Sequence, residues 1–346
     1  MQFYLNHSFT YGQYNPFCPV AARDGRDILF RSYDAGAQTI GLYRWTPGGV
    51  AHIRDVPVMY NPLWIDGAYY YWWTDGIFRL DPETGESEQV YRNDHEMYFG
   101  MFWEDGGFIY AVDTGFSRSA GDYTVYRFDP AAGGMEEFPW LALSGYRSDS
   151  RETSLEFYGV AGNELLVYQP EGGRFFWLNI FTGETREDSL GYYPCGWRDG
   201  GIVLYRAGWD SMVLHDVQTG KETPLPLPEA VKADAEAFEL LAVDGQAAYW
   251  KSGTSLYVQT GEAFAKVFSY SWETDILDAG AFYQLLDGVF YFAFFGTPDE
   301  GYDLTDLSIH DPALEEGEKM RFAALTPDGK VYILAEEYYN PYWQDF

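Results

Sequence analysis

"DGAYYYWWTDGIFRLDPETG", residues 66–85, reads as two strands framed by two kinds of turn. Asp66-Gly67 is a tight hairpin signal, because glycine accepts the positive φ that a primed turn demands. The segment from Asp81 to Gly85 is a different turn. There the aspartate caps the backbone, Pro82 presets φ, and the glycine takes the left-handed position before the chain returns. The aromatic run between the turns suits strands packed between sheets.

Both turns recur. "DG" followed by an apolar, aromatic-rich stretch begins at Asp24, Asp66, Asp105, Asp199, Asp244, Asp287 and Asp328, with a degenerate copy at Gly162. The eight anchors lie 42, 39, 57, 37, 45, 43 and 41 residues apart. The second turn returns as "NIFTG" at 179–183, "DVQTG" at 216–220 and "VQTG" at 258–261. A repeat of about 40–45 residues built from short strands and Asp/Gly turns is the pattern of propeller blades. Each copy reads as strand A, DG turn, strand B, loop, strand C, TG turn, strand D.

Counted through the termini, Asp328 and Asp24 are also 42 residues apart. The last copy stops before its strand D, and "MQFYLNHSF" at 1–9 is expected to supply it, which would remove exposed edges. The pattern thus predicts one all-β domain over 1–346, an eight-bladed β-propeller of four-stranded antiparallel blades. The N-terminal strand would close the ring by pairing with the C-terminal blade. Seven blades is the alternative if the irregular stretch 139–175 is not a full blade.

The segment 69–85 resembles the YWTD-type blade of lipoprotein-receptor propellers and related bacterial propellers. Trp73, Thr74, Asp75, Ile77, Arg79 and Asp81 carry the resemblance. It covers one blade well and the others in outline, and "YW" at 249–250 is the next best copy. It implies a propeller used for binding and carries no catalytic residues across.

Aromatics make up 19% of the chain, and 53 acids against 22 bases give a formal net charge of −31. That charge repels phosphate backbones and anionic headgroups, so nucleic acid and membrane are poor partners. A neutral polar, sugar-like or cationic small molecule suits it better, or a peptide or protein, although the same charge also serves to keep an aromatic-rich chain soluble. Two cysteines, Cys18 and Cys195, are too few for a disulfide framework. On opposite blades of an eight-bladed ring they would be too far apart to pair. His7, His52 and His95 show no metal-ligand spacing, and neither a metal nor a cofactor is expected. The acidic loop 299–306 offers Asp299, Asp303 and Asp306 to calcium, but without EF-hand spacing it reads as solvated. The start of the chain lacks a signal-peptide pattern, and the apolar run 289–295 is too short to cross a bilayer. A cytoplasmic monomer is expected, secreted only if a leader has been removed.

In a propeller the DG and TG turns share one face, and the B–C loops and D–A links share the other. Here the first face is uniform. The variation falls on the second, in the B–C loops 112–124 and 296–306 and in the D–A links 139–157 and 225–240, the last with a short helix after Pro228. One-sided variation in a repeat protein marks a binding surface. "YNP" occurs three times, at 14–16, 60–62 and 339–341 with Asn340 at its centre, each time on this face. Tyrosines recur near strand A entries. The candidate ligand-binding residues are Tyr14, Asn15, Tyr60, Asn61, Trp64, Tyr98, Tyr158, Tyr193, Trp197, Tyr283, Asn340 and Trp343. Aromatic faces with amide and carboxylate neighbours suit sugar C–H faces or cations. Turn chemistry alone accounts equally well for Asn-Pro.

No G-x-S-x-G elbow, phosphate loop or H-E-x-x-H motif occurs. The expectation is therefore a non-catalytic ligand-binding or interaction propeller. The alternative is a carbohydrate-active hydrolase or lyase with channel carboxylates, since fold alone does not decide between them.

Overall fold

The structure is a computed structural model. It describes residues 2–3, 17–23, 27–34, 39–55, 60–73, 76–93, 99–113, 123–139, 155–170, 172–188, 190–191, 194–206, 211–245, 247–271, 283–286, 288–295, 297–298, 319–327 and 329–338. By its contacts the chain forms two compact units. The first comprises Met1–Tyr4, Met59–Tyr193 and Asp216–Lys221, and the second comprises Leu5–Val58, Pro194–His215 and Glu222–Phe346.

The fold is all-β in antiparallel meanders of the propeller-blade kind. Among the described residues there are six hydrogen-bonded sheets. Five are blade-sized: the four-stranded sheets 17–55, 60–92, 99–139 and 283–338, and the five-stranded sheet built on 156–188. The sixth has nine strands, in which the meanders 194–225 and 239–271 are joined and Thr297–Pro298 adds an edge.

This arrangement overturns the expectation of eight separate blades, and of seven. One reason lies at Asp328. The hairpin expected to open an eighth blade instead joins the third and fourth strands, Lys319–Leu325 and Val331–Tyr338, of the sheet that begins at Tyr283. The ring-closing role given to the N-terminus is overturned as well. Gln2 and Phe3 pair with Val160 and Gly159, on the free edge of Glu156–Ala161, and not with the C-terminal strands. An open inner edge presents unpaired N–H and C=O groups, and even two residues can satisfy some of them.

The expected turn chemistry formed at Asp66, Asp81, Asn179, Asp199 and Asp216, whereas 258–260 stay in the strand Ser255–Thr260, which turns in two residues. Asp66 and Gly67 have φ of 48° and 84°, and Asp199 and Gly200 have 47° and 84°, the two successive left-handed residues of a primed hairpin. At Asp81, Asp129, Asn179 and Asp216 a side-chain oxygen accepts the N–H groups two and three residues on, at 2.8–3.3 Å. The glycine that follows each donates back to the capping residue's carbonyl at 2.7–2.9 Å.

The N–H of Glu83 is the main cause that holds the Asp81 carboxyl below its ordinary value of 3.8. A depressed folded pKa means that this stabilisation is present above the unfolded value and is lost as pH falls through the folded one. The melting-temperature gap between the native chain and Asp81→Ala should therefore be constant at neutral pH and shrink below about 3.8. A gap that widens in acid would refute the cap.

Within the first unit the inner strands Tyr60–Ile65 and Glu156–Ala161 each lie against Phe99–Asp105. Within the second, Tyr283–Leu286 lies against both Phe17–Arg23 and Glu239–Asp244. Apolar clusters fill the spaces between neighbouring sheets. One holds Trp103, Val112, Leu165 and Phe176, and another holds Phe30, Tyr249, Phe290 and Phe322. Much of the aromatic content is consumed here: Trp45, Trp103, Trp177 and Trp250 are all fully buried. A one-turn helix, Glu229–Ala233, follows Pro228 as the link 225–240 suggested.

Candidate functional site at the inner-strand entries

Six inner strands break register near their start. In the first unit the breaks fall between Tyr60 and Leu63, Phe99 and Met101, and Phe157 and Gly159. In the second they fall between Pro19 and Ala21, Pro194 and Gly196, and Leu240 and Ala242. Proline or glycine lies in or beside most of them: Pro19, Pro62, Gly100, Gly159, Pro194 and Gly196. The local cause is plain, since proline cannot donate a ladder hydrogen bond and glycine accepts unusual backbone angles. A bulge sets one residue out of the ladder and re-aims its side chain, a device common beside functional sites. The residues set out include Asn61, Tyr158 and Cys195. The proline of the second "YNP" is thus a bulge residue.

In the first unit the re-aimed Tyr158 donates its hydroxyl to Glu156 Oε2 at 2.8 Å. Its ring meets the edge of Phe175 at 5.7 Å. Glu156 is exposed and Tyr158 half-buried, so a hydroxyl-bearing ligand can reach both.

In the second unit Tyr283, Glu239 and Cys195 come from the entries of three different inner strands. The Tyr283 ring stacks on Phe290 at 5.9 Å and 21°. Burial, then the charges of Glu239 and Cys195, push its phenol far up, so it remains a protonated donor throughout the neutral range. Burial also pushes the Cys195 thiol up to about 11, with Glu239 adding to the effect. Such a thiol is not a nucleophile at neutral pH. Glu239 is exposed and stands directly opposite Lys251 on the neighbouring strand. Residues directly opposite project from the same face. A carboxylate, an ammonium and a protonated phenol therefore share one rim.

Of the predicted site residues, the side chains of Tyr158, Trp197 and Tyr283 are described, and Tyr158 and Tyr283 take part in these two groups. Trp197 is half-buried and pairs with Asp244 in the parallel ladder between Pro194–Arg198 and Glu239–Asp244. Tyr60, Asn61 and Trp64 lie within the strand Tyr60–Ile65, and their side chains are outside the described set. Tyr14, Asn15, Tyr98, Tyr193, Asn340 and Trp343 lie outside the described residues, as do the three aspartates of the loop 299–306. Glu156, Glu239 and Lys251 were missed. A signal existed for the glutamates: each opens an inner strand six residues before its turn glycine, Gly162 or Gly245.

Comparison with known proteins adds the fold and little more. No protein-family model and no curated protein matches the chain, so the YWTD-type resemblance gains no support. Among solved structures, an oligogalacturonate lyase from Vibrio parahaemolyticus aligns with TM-score 0.50 at 14% identity, covering 80% of this chain and 86% of that one. An oligogalacturonate lyase in complex with manganese aligns with TM-score 0.50 at 15% identity, covering 80% of this chain and 85% of that one. At such identity the likeness shows the propeller fold alone. Among the described residues no three His, Cys, Asp or Glu side chains come together to hold a metal ion. Among the same residues no helix is long and apolar enough to cross a membrane.

Proposed function

We propose that the chain is a carbohydrate-active propeller that cleaves a glycosidic bond at the inner-strand entries of the second unit. The observation that carries the reading is the rim of Glu239, Tyr283 and Lys251. In the proposed mechanism the Tyr283 hydroxyl, kept protonated, donates to a sugar oxygen. The exposed Glu239 carboxylate acts as general base and takes a proton from an attacking water. As the water oxygen bonds to the anomeric carbon and the glycosidic C–O bond breaks, the Lys251 ammonium gives a proton to the departing oxygen, and the proton taken up by Glu239 then returns the lysine to its charged form. Support comes from the solved neighbours of this outline, which are oligogalacturonate lyases and so carbohydrate-active enzymes. The substrate differs, however. A chain of net charge −31 disfavours a polyanion, so a neutral or amino-sugar oligosaccharide is the expected substrate.

Incubation with neutral, amino-sugar and uronate oligosaccharides tests this, with new reducing ends and ultraviolet absorbance of unsaturated products as readouts. Cleavage of a neutral or amino sugar is expected, and Glu239→Gln should lower kcat/KM by about a hundredfold or more. Cleavage of uronates alone, or a Glu239→Gln variant as active as the native chain, would overturn the proposal. Because recognised catalytic motifs are absent from the sequence, saturable binding without turnover would favour the non-catalytic binding propeller instead.

A further inference from the structure

We infer that the entry of the strand Glu156–Ala161, in the first unit, binds an organic ammonium ion against the Glu156 carboxylate and the rings of Tyr158 and Tyr168. The site shares no residue with the rim proposed to cleave a glycosidic bond, and neither reading rests on the other.

Register builds the site. Glu156 stands directly opposite Tyr168, and Tyr168 opposite Phe175, so these three side chains project from one face of the sheet. Tyr158, set out of the ladder between Phe157 and Gly159, joins the same group. Its ring lies 5.7 Å from that of Phe175, and the Tyr168 ring lies 4.7 Å from it. Phe175 is buried and supports the two half-buried tyrosines. The hydrogen bond from the Tyr158 hydroxyl to Glu156 Oε2 holds the carboxylate beside this aromatic group.

The carboxylate is what points to a cation. Glu88, Glu136 and Glu164 of the same unit each pair with an arginine. Glu156 is exposed and, among the described residues, pairs with no base; the Tyr158 hydroxyl is its one donor there. Arg174, next to Phe175, does not fill the role. It pairs with Gln169 in the ladder and donates to Gln169 Oε1 at 2.7 Å. Successive residues of a strand face opposite sides, so Gln169 and Arg174 project away from Tyr168 and Phe175.

A carboxylate that accepts one phenol hydrogen bond keeps lone pairs for a second donor, and aromatic faces beside it attract positive charge. An organic ammonium meets both, with its alkyl groups against the rings. A calcium ion would need about six or more oxygen ligands, which one glutamate and one phenol do not supply. The net charge of −31 raises the concentration of any cation near the surface.

Titration of the full chain with choline and with its uncharged isostere 3,3-dimethylbutan-1-ol, at constant ionic strength and followed by ligand-observed NMR, tests the site. Choline should bind saturably and about tenfold more tightly than the isostere. Glu156→Gln should weaken choline about tenfold. Glu187→Gln, which removes the same charge from another exposed position of the unit, should leave its affinity unchanged. Tyr168→Leu should weaken choline about fivefold, and Tyr168→Phe, which keeps the ring, should not. Equal affinity for the isostere, equal losses in Glu156→Gln and Glu187→Gln, or no saturable binding would overturn the site.

Discussion

Gly196→Ala will destabilise the second unit by about 3 kcal/mol or more, read as a lowered midpoint in urea unfolding. A Cβ at this position would sit 2.1 Å from the carbonyl oxygen of Val243 and 2.8 Å from its carbonyl carbon. Both are backbone atoms of the neighbouring inner strand, so no side-chain rotation relieves the clash. Gly196 pairs with Val243 in the parallel contact that joins the two meanders of the nine-stranded sheet. Separating them would also move Cys195 away from Glu239. Gly200 is the control. It has φ of +84° but no heavy atom within 4 Å of a Cβ, and alanine there should cost only about 1 kcal/mol. Equal costs at the two positions would show that steric exclusion at the strand contact is not the cause.

Trp250→Ala should cost about 3–5 kcal/mol, the range for emptying a large aromatic site in a packed core. Trp250 is fully buried and meets the Tyr205 ring edge-on at 5.1 Å. Its indole N–H donates to Gln259 Oε1 at 3.2 Å, while Gln259 Nε2 donates to the Pro226 carbonyl at 3.0 Å. Removing the indole leaves both a void and an unmet buried acceptor. Trp250→Phe keeps most of the volume and should recover more than half of the loss. A cost below about 1.5 kcal/mol for alanine would mean that the site collapses freely and that the cluster is not the rigid core described.

The parts of this fold that could be read in the chain are those written by neighbouring residues. A capping aspartate and its glycine lie within one turn of each other, and the hairpins at Asp66 and Asp199 and the capped turns at Asp81 and Asp216 formed where their letters stood. The blade count was not readable, because a turn glycine such as Gly329 serves a third-to-fourth-strand connection as readily as a first-to-second one. The partner of Gln2–Phe3 was hidden for a different reason. A pairing across more than 150 residues leaves no local trace in a two-residue strand.

The candidate site divides the same way. Tyr158 and Tyr283 stood out because aromatics recur at strand entries. Glu156 and Glu239 did not, because 53 acids make any one of them inconspicuous. Lys251 became visible only through register, which sets it opposite Glu239. Bulges were equally opaque beforehand, since Leu241 is set out of its ladder with neither proline nor glycine beside it.

The two-residue hairpin at Gly253-Thr254 also decouples loop length from sheet register. Inserting a few residues there would lengthen the connection while every ladder bond of Ala247–Ser252 and Ser255–Thr260 stays in place.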